Sequence, residues 1–399
     1  MDGTTWGIFA IIIIYLLGMV AVGLYYMKKN SSTGDYYLGG RKLGPIVTAM
    51  SAEASDMSSW LLMGLPGVAY LTGVADAAWT AIGLAIGTYL NWLIVAKRLR
   101  RYTVVAGNSI TIPEFFSNRY RDKSRILVAV SAIFIVIFFI PYTASGFAAC
   151  GKLFSTLFGV SYVPAMIVSA IVIVAYTALG GFSAASTTDL IQSIVMSFAL
   201  ICVVLFGVKT AGGTDVILSQ AGELPGYLSM TQTYMNGEAT EYGAIKIASM
   251  LAWGLGYFGM PHILLRFMAI EDEKKIKISR RIATVWVVIS MSVAIFIGIV
   301  GNNLSRNGAL QVLEGSDSEK LIITLGTLMS KSGFLGILVA GLIMSGILAC
   351  TMSTADSQLL AASSSISEDL LKKVFHLEIK EKTSLLAARA TVLVISILG

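Results

Sequence analysis

Apolar residues in this chain gather in long blocks divided by short polar stretches, and block length is the first informative quantity. A helix needs about 20 apolar residues to cross a bilayer. Ten runs qualify, at 6–27, 46–71, 75–96, 126–150, 160–181, 186–208, 244–269, 282–304, 334–366 and 385–399. The first follows Asp2 rather than a basic leader and carries no cleavage site, which predicts a span and not a signal peptide. The tenth stops at Gly399 without a closing polar flank, which predicts a chain truncated inside its last helix.

The polar stretches alternate in charge. Segments 28–45, 97–125, 270–281 and 368–389 hold 22 of the 29 Lys and Arg. The loops between them hold Lys152, Lys209, Arg306, Lys320 and Lys331, and the longer ones carry Glu223, Glu238, Glu241, Glu314 and Asp317. Basic loops stay on the cytoplasmic side, so the alternation predicts an N-terminus outside and survives nine crossings. The net charge of +6 is then topological and not a nucleic-acid footprint.

Composition agrees. Hydrophobic residues make up 56% and charged residues 13%, about half the charged share of a soluble protein. Such a chain has too few charges to cover a soluble surface of this size. The two histidines, His262 and His376, are too few for a membrane haem enzyme. No HExxH or CxxC motif is present, and Cys150, Cys202 and Cys350 each lie in an apolar run, as packing residues do.

Two spans differ from the rest. Segment 46–71 carries Ser51, Glu53, Ser55, Asp56, Ser58 and Ser59, then Gly64-Leu65-Pro66-Gly67. Segment 244–269 contains Trp253-Gly254-Leu255-Gly256-Tyr257-Phe258-Gly259-Met260-Pro261-His262. Glycine and proline loosen a helix by removing packing and a backbone donor, and the freed carbonyls must then be satisfied by protein, water or an ion. These are the second and seventh spans. Five apart, they run in opposite directions, and a pair of interrupted helices in corresponding positions points to a secondary transporter's binding site. No residue-level repeat between the halves is visible.

The intramembrane carboxylates are Glu53, Asp56, Asp189 and Asp356. Each costs roughly 2.5–3.5 kcal/mol at a helix centre. Asp56 lies near mid-membrane, where cation or substrate coupling competes with a plain hydrogen-bond role. Glu53, one turn nearer the cytoplasm, suits a snorkelling or wall position. The ninth span carries Cys350-Thr351-Met352-Ser353-Thr354-Ala355-Asp356-Ser357, an oxygen-rich lining suited to a hard cation such as Na⁺; its hydroxyls could equally bond back to their own helix. Asp189 follows Ser186-Thr187-Thr188 at the expected start of the sixth span, where a capping role and an ion role stand level. Tyr142 follows the kink residue Pro141. Trp253 and Tyr257 share a helical face, and His262 reads as structural or solvent-facing.

At these residues the chain resembles the sodium/solute symporter family, and within it the proline-transporting branch. The stretches that carry the resemblance are 54–67 (ASDMSSWLLMGLPG), 176–184 (YTALGGFSA), 253–268 (WGLGYFGMPHILLRFM) and Met352-Ser353-Thr354. The resemblance implies an all-α polytopic fold, with leucine-transporter-like inverted five-helix repeats after one extra N-terminal helix and a C-terminal truncation. Residues 1–45 would be the extra helix and its loop, 46–243 the first repeat with its outer loop, and 244–399 an incomplete second repeat.

Carried over by motif, a sodium site would use carbonyls of Ala54, Met57 and Cys350 with the hydroxyls of Ser353 and Thr354. Asp56 would serve coupling. Tyr142, Trp253, Tyr257, Pro261 and Ser357 would line the substrate pocket. Asp189 and Asp356 form a possible second ion site, where Asp356 departs from the hydroxyl expected by resemblance; Glu53 likewise stands where a small residue is expected. The expected function is Na⁺-coupled uptake of L-proline across a bacterial plasma membrane, with no cofactor besides the coupling ion and no enzymatic step. Proton coupling, another small solute and a transporter-like sensor are the alternatives, while an aspartyl protease on Asp56 and Asp189 lacks the matching local patterns.

Overall fold

The computed structural model describes residues 2–377 and 380–399. Among them the chain is helical almost throughout, apart from one small hairpin, Gln232–Met235 against Glu238–Glu241, in the loop before the seventh span. The ten expected spans are all recognisable among the described residues. The first is Gly3–Met27. The second is split into Pro45–Met57 and, after a break, Trp60–Gly64 and Leu65–Thr72. Val74–Val105 is the third and Ile126–Phe158 the fourth. The seventh is Ala244–Gly259 plus Pro261–Ala269, bent by 49°. Glu273–Arg306, Phe334–Val374 and Glu381–Leu398 complete the set.

The fifth and sixth spans are joined without a loop. Helix Tyr162–Ala211 has 50 residues, about 75 Å at 1.5 Å per residue, more than twice the hydrocarbon thickness of ~30 Å. It crosses twice because it breaks at Gly181, with φ 62° and ψ −157°. Only glycine adopts that backbone readily. A Cβ there would also come within 2.7 Å of the Tyr36 carbonyl oxygen. The carbonyls orphaned before the break are satisfied from outside the helix, as a buried helix end requires. The Tyr36 hydroxyl donates to the Ala178 carbonyl at 3.1 Å, and Asn30 Nδ2 donates to Gly180 at 2.8 Å. Residues 182–185, expected as a gap between spans, are helical.

The loops sort onto two faces. On one, Arg41 donates to the carbonyls of Met268 and Ser109, both at 2.7 Å, and Arg100 Nε to that of Ile270 at 2.7 Å. Arg101 pairs with Glu273 at 2.6 Å, Thr111 Oγ1 donates to Asp369 at 2.6 Å, and Lys373 pairs with Glu114. These contacts gather all four basic segments. On the other face Val74 N–H bonds the Tyr227 carbonyl at 2.8 Å, Arg306 meets Glu223 at 3.2 Å, and Lys152 meets Glu319 at 2.6 Å.

The ninth span is the most enclosed element. Every residue from Ile343 to Ser365 is buried, and the helix packs on the first, fourth and fifth–sixth spans. Its hydroxyls and Asp356 therefore look at protein and not at lipid. The seventh span lies against the third at backbone distance: a Cβ on Gly254 would meet the Gly83 carbonyl oxygen at 2.0 Å. The inner half of the second span, Pro45–Met57, packs on Pro261–Ala269, so the two interrupted spans lie side by side.

Candidate functional site

The second span breaks because its helix ends at Met57 and Ser58 takes a positive φ of 50° with ψ −169°, an unfavourable backbone for a residue with a Cβ. The last four carbonyls of a helix have no partner in their own helix, and Ala54 and Met57 both belong to that set. The Ala54 carbonyl instead accepts from Ser353 Oγ of the ninth span at 2.8 Å. Ser353 Oγ also lies 3.2 Å from the Cys350 carbonyl, and Thr354 Oγ1 lies 3.3 Å from it. Ala54, Cys350, Ser353 and Thr354 are thus brought together between two helices, and Met57 is buried at the adjoining helix end. The hydroxyls do bond back to their own helix, but Ser353 also bridges to the broken one. This donor set is made of neutral oxygens, which suit a hard monovalent cation.

Just beside it, the Tyr257 hydroxyl donates to Glu53 Oε2 at 3.3 Å and lies within reach of Asp56. Trp92 Nε1 donates to Glu53 Oε1 at 3.2 Å. Glu53 is fully buried. The snorkelling expectation is corrected: this carboxyl is held inside by an indole and a phenol from two other spans. Asp56 sits at the very end of the inner half-helix and keeps partial exposure.

The expected substrate residues fall into separate surroundings. Tyr142 reaches Ser58 at the break. Trp253 is 49% exposed and lies on Trp60 with ring centroids 5.3 Å apart, whereas Tyr257 is buried on Glu53. Pro261 opens the second half of the seventh span at the bend. So Trp253 and Tyr257 do not form one cradle in this state. Ser357 is buried apart from these rings: its hydroxyl accepts from Arg266 Nη2 at 2.5 Å and donates to Asp356 Oδ1 at 2.9 Å. His262 is buried, its ring edge-on to Phe139 at 5.4 Å, so it does not face solvent.

The capping reading of Asp189 is also corrected. Since the helix runs on from residue 182, Asp189 lies two turns inside it and caps nothing. It is wholly buried and pairs with Arg266 Nη2 at 3.0 Å, while Ser51 Oγ donates to the same carboxylate oxygen at 2.6 Å. Arg266, 1% exposed, spends its other donors on Ser51 Oγ (2.9 Å) and the His262 carbonyl (2.7 Å). Its guanidinium also lies 5.0 Å from the Phe182 ring centre. Asp356 accepts from Tyr176 at 2.7 Å as well as from Ser357. The guanidinium thus pairs with Asp189 and is linked to the second buried carboxyl, Asp356, through the Ser357 hydroxyl. The second oxygen of Asp189 and the hydroxyl of Ser186, one turn earlier on the same face, have no hydrogen-bond partner among the described residues.

Arg266 was missed from sequence. The signal was available in the charge map: once the loops are accounted for, only Lys246 and Arg266 remain of the basic residues, both in the seventh span. Asn91 was missed too; its Nδ2 donates to the Tyr257 carbonyl at 2.8 Å and so serves a carbonyl freed by the bend.

A fold of broken helices crossed by an oxygen-rich span is that of a secondary transporter. The chain belongs to the sodium:solute symporter family, whose model matches residues 36–399. It is similar to the osmoregulated proline transporter OpuE of Bacillus subtilis (strain 168), 39% identical over 97% of this chain and 75% of that one. The sodium/proline symporter of Haemophilus influenzae is 42% identical over 97% of this chain and 75% of its own length. Among solved structures, a substrate-bound, outward-open Na⁺-coupled sialic acid symporter superposes with a TM-score of 0.82 over 98% of this chain and 79% of that one, at 18% identity. The chain therefore has the leucine-transporter-like fold expected from its motifs.

Proposed function

We propose that the protein couples inward Na⁺ movement to uptake of L-proline by alternating access. The observation that carries this reading is the contact between the Ala54 carbonyl, at the end of the broken second span, and Ser353 of the ninth. An ion held by the Ala54, Met57 and Cys350 carbonyls with the Ser353 and Thr354 hydroxyls would fasten the two helices together. It would order the break at Ser58 and so remove a conformational cost that the solute would otherwise bear. Asp56, at the same helix end, is the residue assigned to coupling.

The substrate class rests on the relatives, which are named as proline transporters. Tyr142, Trp253, Tyr257 and Pro261 flank the two breaks, where freed backbone N–H groups would take the carboxylate and an aromatic ring the pyrrolidine. The two breaks belong to inverted halves at 46–243 and 244–399, with 1–45 as an extra helix. The N-terminus lies outside, and the basic face is cytoplasmic in the plasma membrane. Asp189 and Asp356 are the residues that a second cation would use. One Na⁺ crossing 100 mV releases about 2.3 kcal/mol and a tenfold gradient about 1.4 more, enough for accumulation of several hundred-fold.

Radiolabelled proline uptake into proteoliposomes tests the reading, with an inward Na⁺ gradient or K⁺ in its place. Uptake that needs Na⁺ and disappears in Asp56→Asn supports it. Because Asp356 is wholly buried and bonded, among the described residues, only by the Tyr176 and Ser357 hydroxyls, proton coupling at Asp356 is the second reading. Uptake that persists without Na⁺ and collapses with an uncoupler would favour it.

A further inference from the structure

A groove of about 500 Å³ runs along the outside of the helix bundle between the second, sixth and eighth spans, away from the residues discussed so far. Its walls are Met50, Leu200, Ile201, Val285, Ile289 and Val293, with Trp286 at the side and Arg281 at one end. Val285 and Ile289 are more than half exposed, so the groove opens toward the lipid and not into the protein.

Three features identify its occupant. Arg281 to Val293 spans about 18 Å of helix at 1.5 Å per residue, close to half of a ~30 Å hydrocarbon core. The groove is therefore one leaflet deep. Arg281 is exposed, lies on the face that gathers the basic loops, and has no ion-pair or hydrogen-bond partner among the described residues. By contrast Trp286 Nε1 is already satisfied by Ser197 Oγ at 2.9 Å, so the rest of the groove asks for apolar contact only. A lone cation at the interface end of a dry, leaflet-deep groove is complementary to an acyl chain carrying an anionic headgroup.

We propose that this groove is a binding site for one anionic phospholipid of the leaflet on the basic face, with its phosphate on Arg281 and one acyl chain along Val285, Ile289 and Val293. Met50 makes one wall part of the broken second span, four residues before Ala54. The lipid thus packs on the inner half of the helix that carries the ion site.

Trp286 supplies the test. The purified protein is titrated with chain-brominated phosphatidylglycerol or phosphatidylcholine in mixed micelles, and the quenching lost in Trp286→Phe isolates the groove. Phosphatidylglycerol should be preferred by about fivefold, the equivalent of the ~1 kcal/mol contributed by one basic side chain at an anionic surface. Arg281→Gln, an exposed substitution that leaves the fold intact, should abolish the preference while Arg281→Lys keeps most of it. Equal quenching by the two lipids, or a preference unchanged in Arg281→Gln, would overturn the proposal. So would loss of the preference on adding millimolar inorganic phosphate, since the headgroup alone would then be the ligand.

Discussion

Arg266 and Asp189 form an ion pair wholly inside the protein, and that has measurable consequences. Breaking a buried ion pair by removing one partner costs about 3–5 kcal/mol, because the other charge is left uncompensated. Asp189→Asn and Arg266→Gln should each lower the thermal midpoint of the purified protein markedly. The double variant should be destabilised by less than the sum of the two, because the residues are in direct contact at 3.0 Å. Ser353 makes a different prediction. Its hydroxyl is the link between the Ala54 carbonyl and the ninth span. Ser353→Ala should raise the Na⁺ concentration for half-maximal proline binding by about tenfold or more, since a hydrogen bond or ligand contact to a charge is worth about 1.5–3 kcal/mol. Scintillation proximity with labelled proline reads that shift directly, and an unchanged Na⁺ dependence would remove Ser353 from the ion site.

At the scale of elements, the breaks organise the molecule. Gly181 turns a 50-residue helix into two crossings with a backbone that other residues adopt only under strain. Gly181→Ala should cost about 1–3 kcal/mol from backbone strain alone, and more from the approach to Tyr36. The expected outcome is a lower thermal midpoint and a reduced yield of monodisperse protein. The breaks in the second and seventh spans were legible in sequence, because glycines, prolines and clustered hydroxyls have no ordinary place in lipid. The join of the fifth and sixth spans was not. Ser183, Ala184 and Ala185 are small and look like a linker, yet small residues are equally at home in a packed helix. That single misplacement moved Asp189 from a helix end to the interior. Its partner lies 77 residues away on another span, a pairing that no local pattern encodes. Glu53 escaped for the same reason, being held by Trp92 and Tyr257 from the third and seventh spans.

For the whole molecule, the charge alternation along the chain becomes two physical faces, with Arg41, Arg100 and Lys373 on one and Lys152 and Arg306 on the other. The residues that tie the second span to the ninth lie between them. Lys152 and Glu319 form a partly exposed pair, worth at most about 1 kcal/mol, so Lys152→Gln should leave the thermal midpoint nearly unchanged. The central claim is that one ion and one solute are bound at coupled sites on the same broken helix. Linkage then requires reciprocity: Na⁺ must tighten proline binding by the same factor by which proline tightens Na⁺ binding. Equilibrium binding of labelled proline to the purified protein across Na⁺ concentrations, with K⁺ holding ionic strength, measures it in one experiment. The account predicts a proline affinity that rises with Na⁺, saturates, and in Ser353→Ala needs about tenfold more Na⁺ to do so. Proline binding of equal strength in Na⁺ and in K⁺ would contradict it.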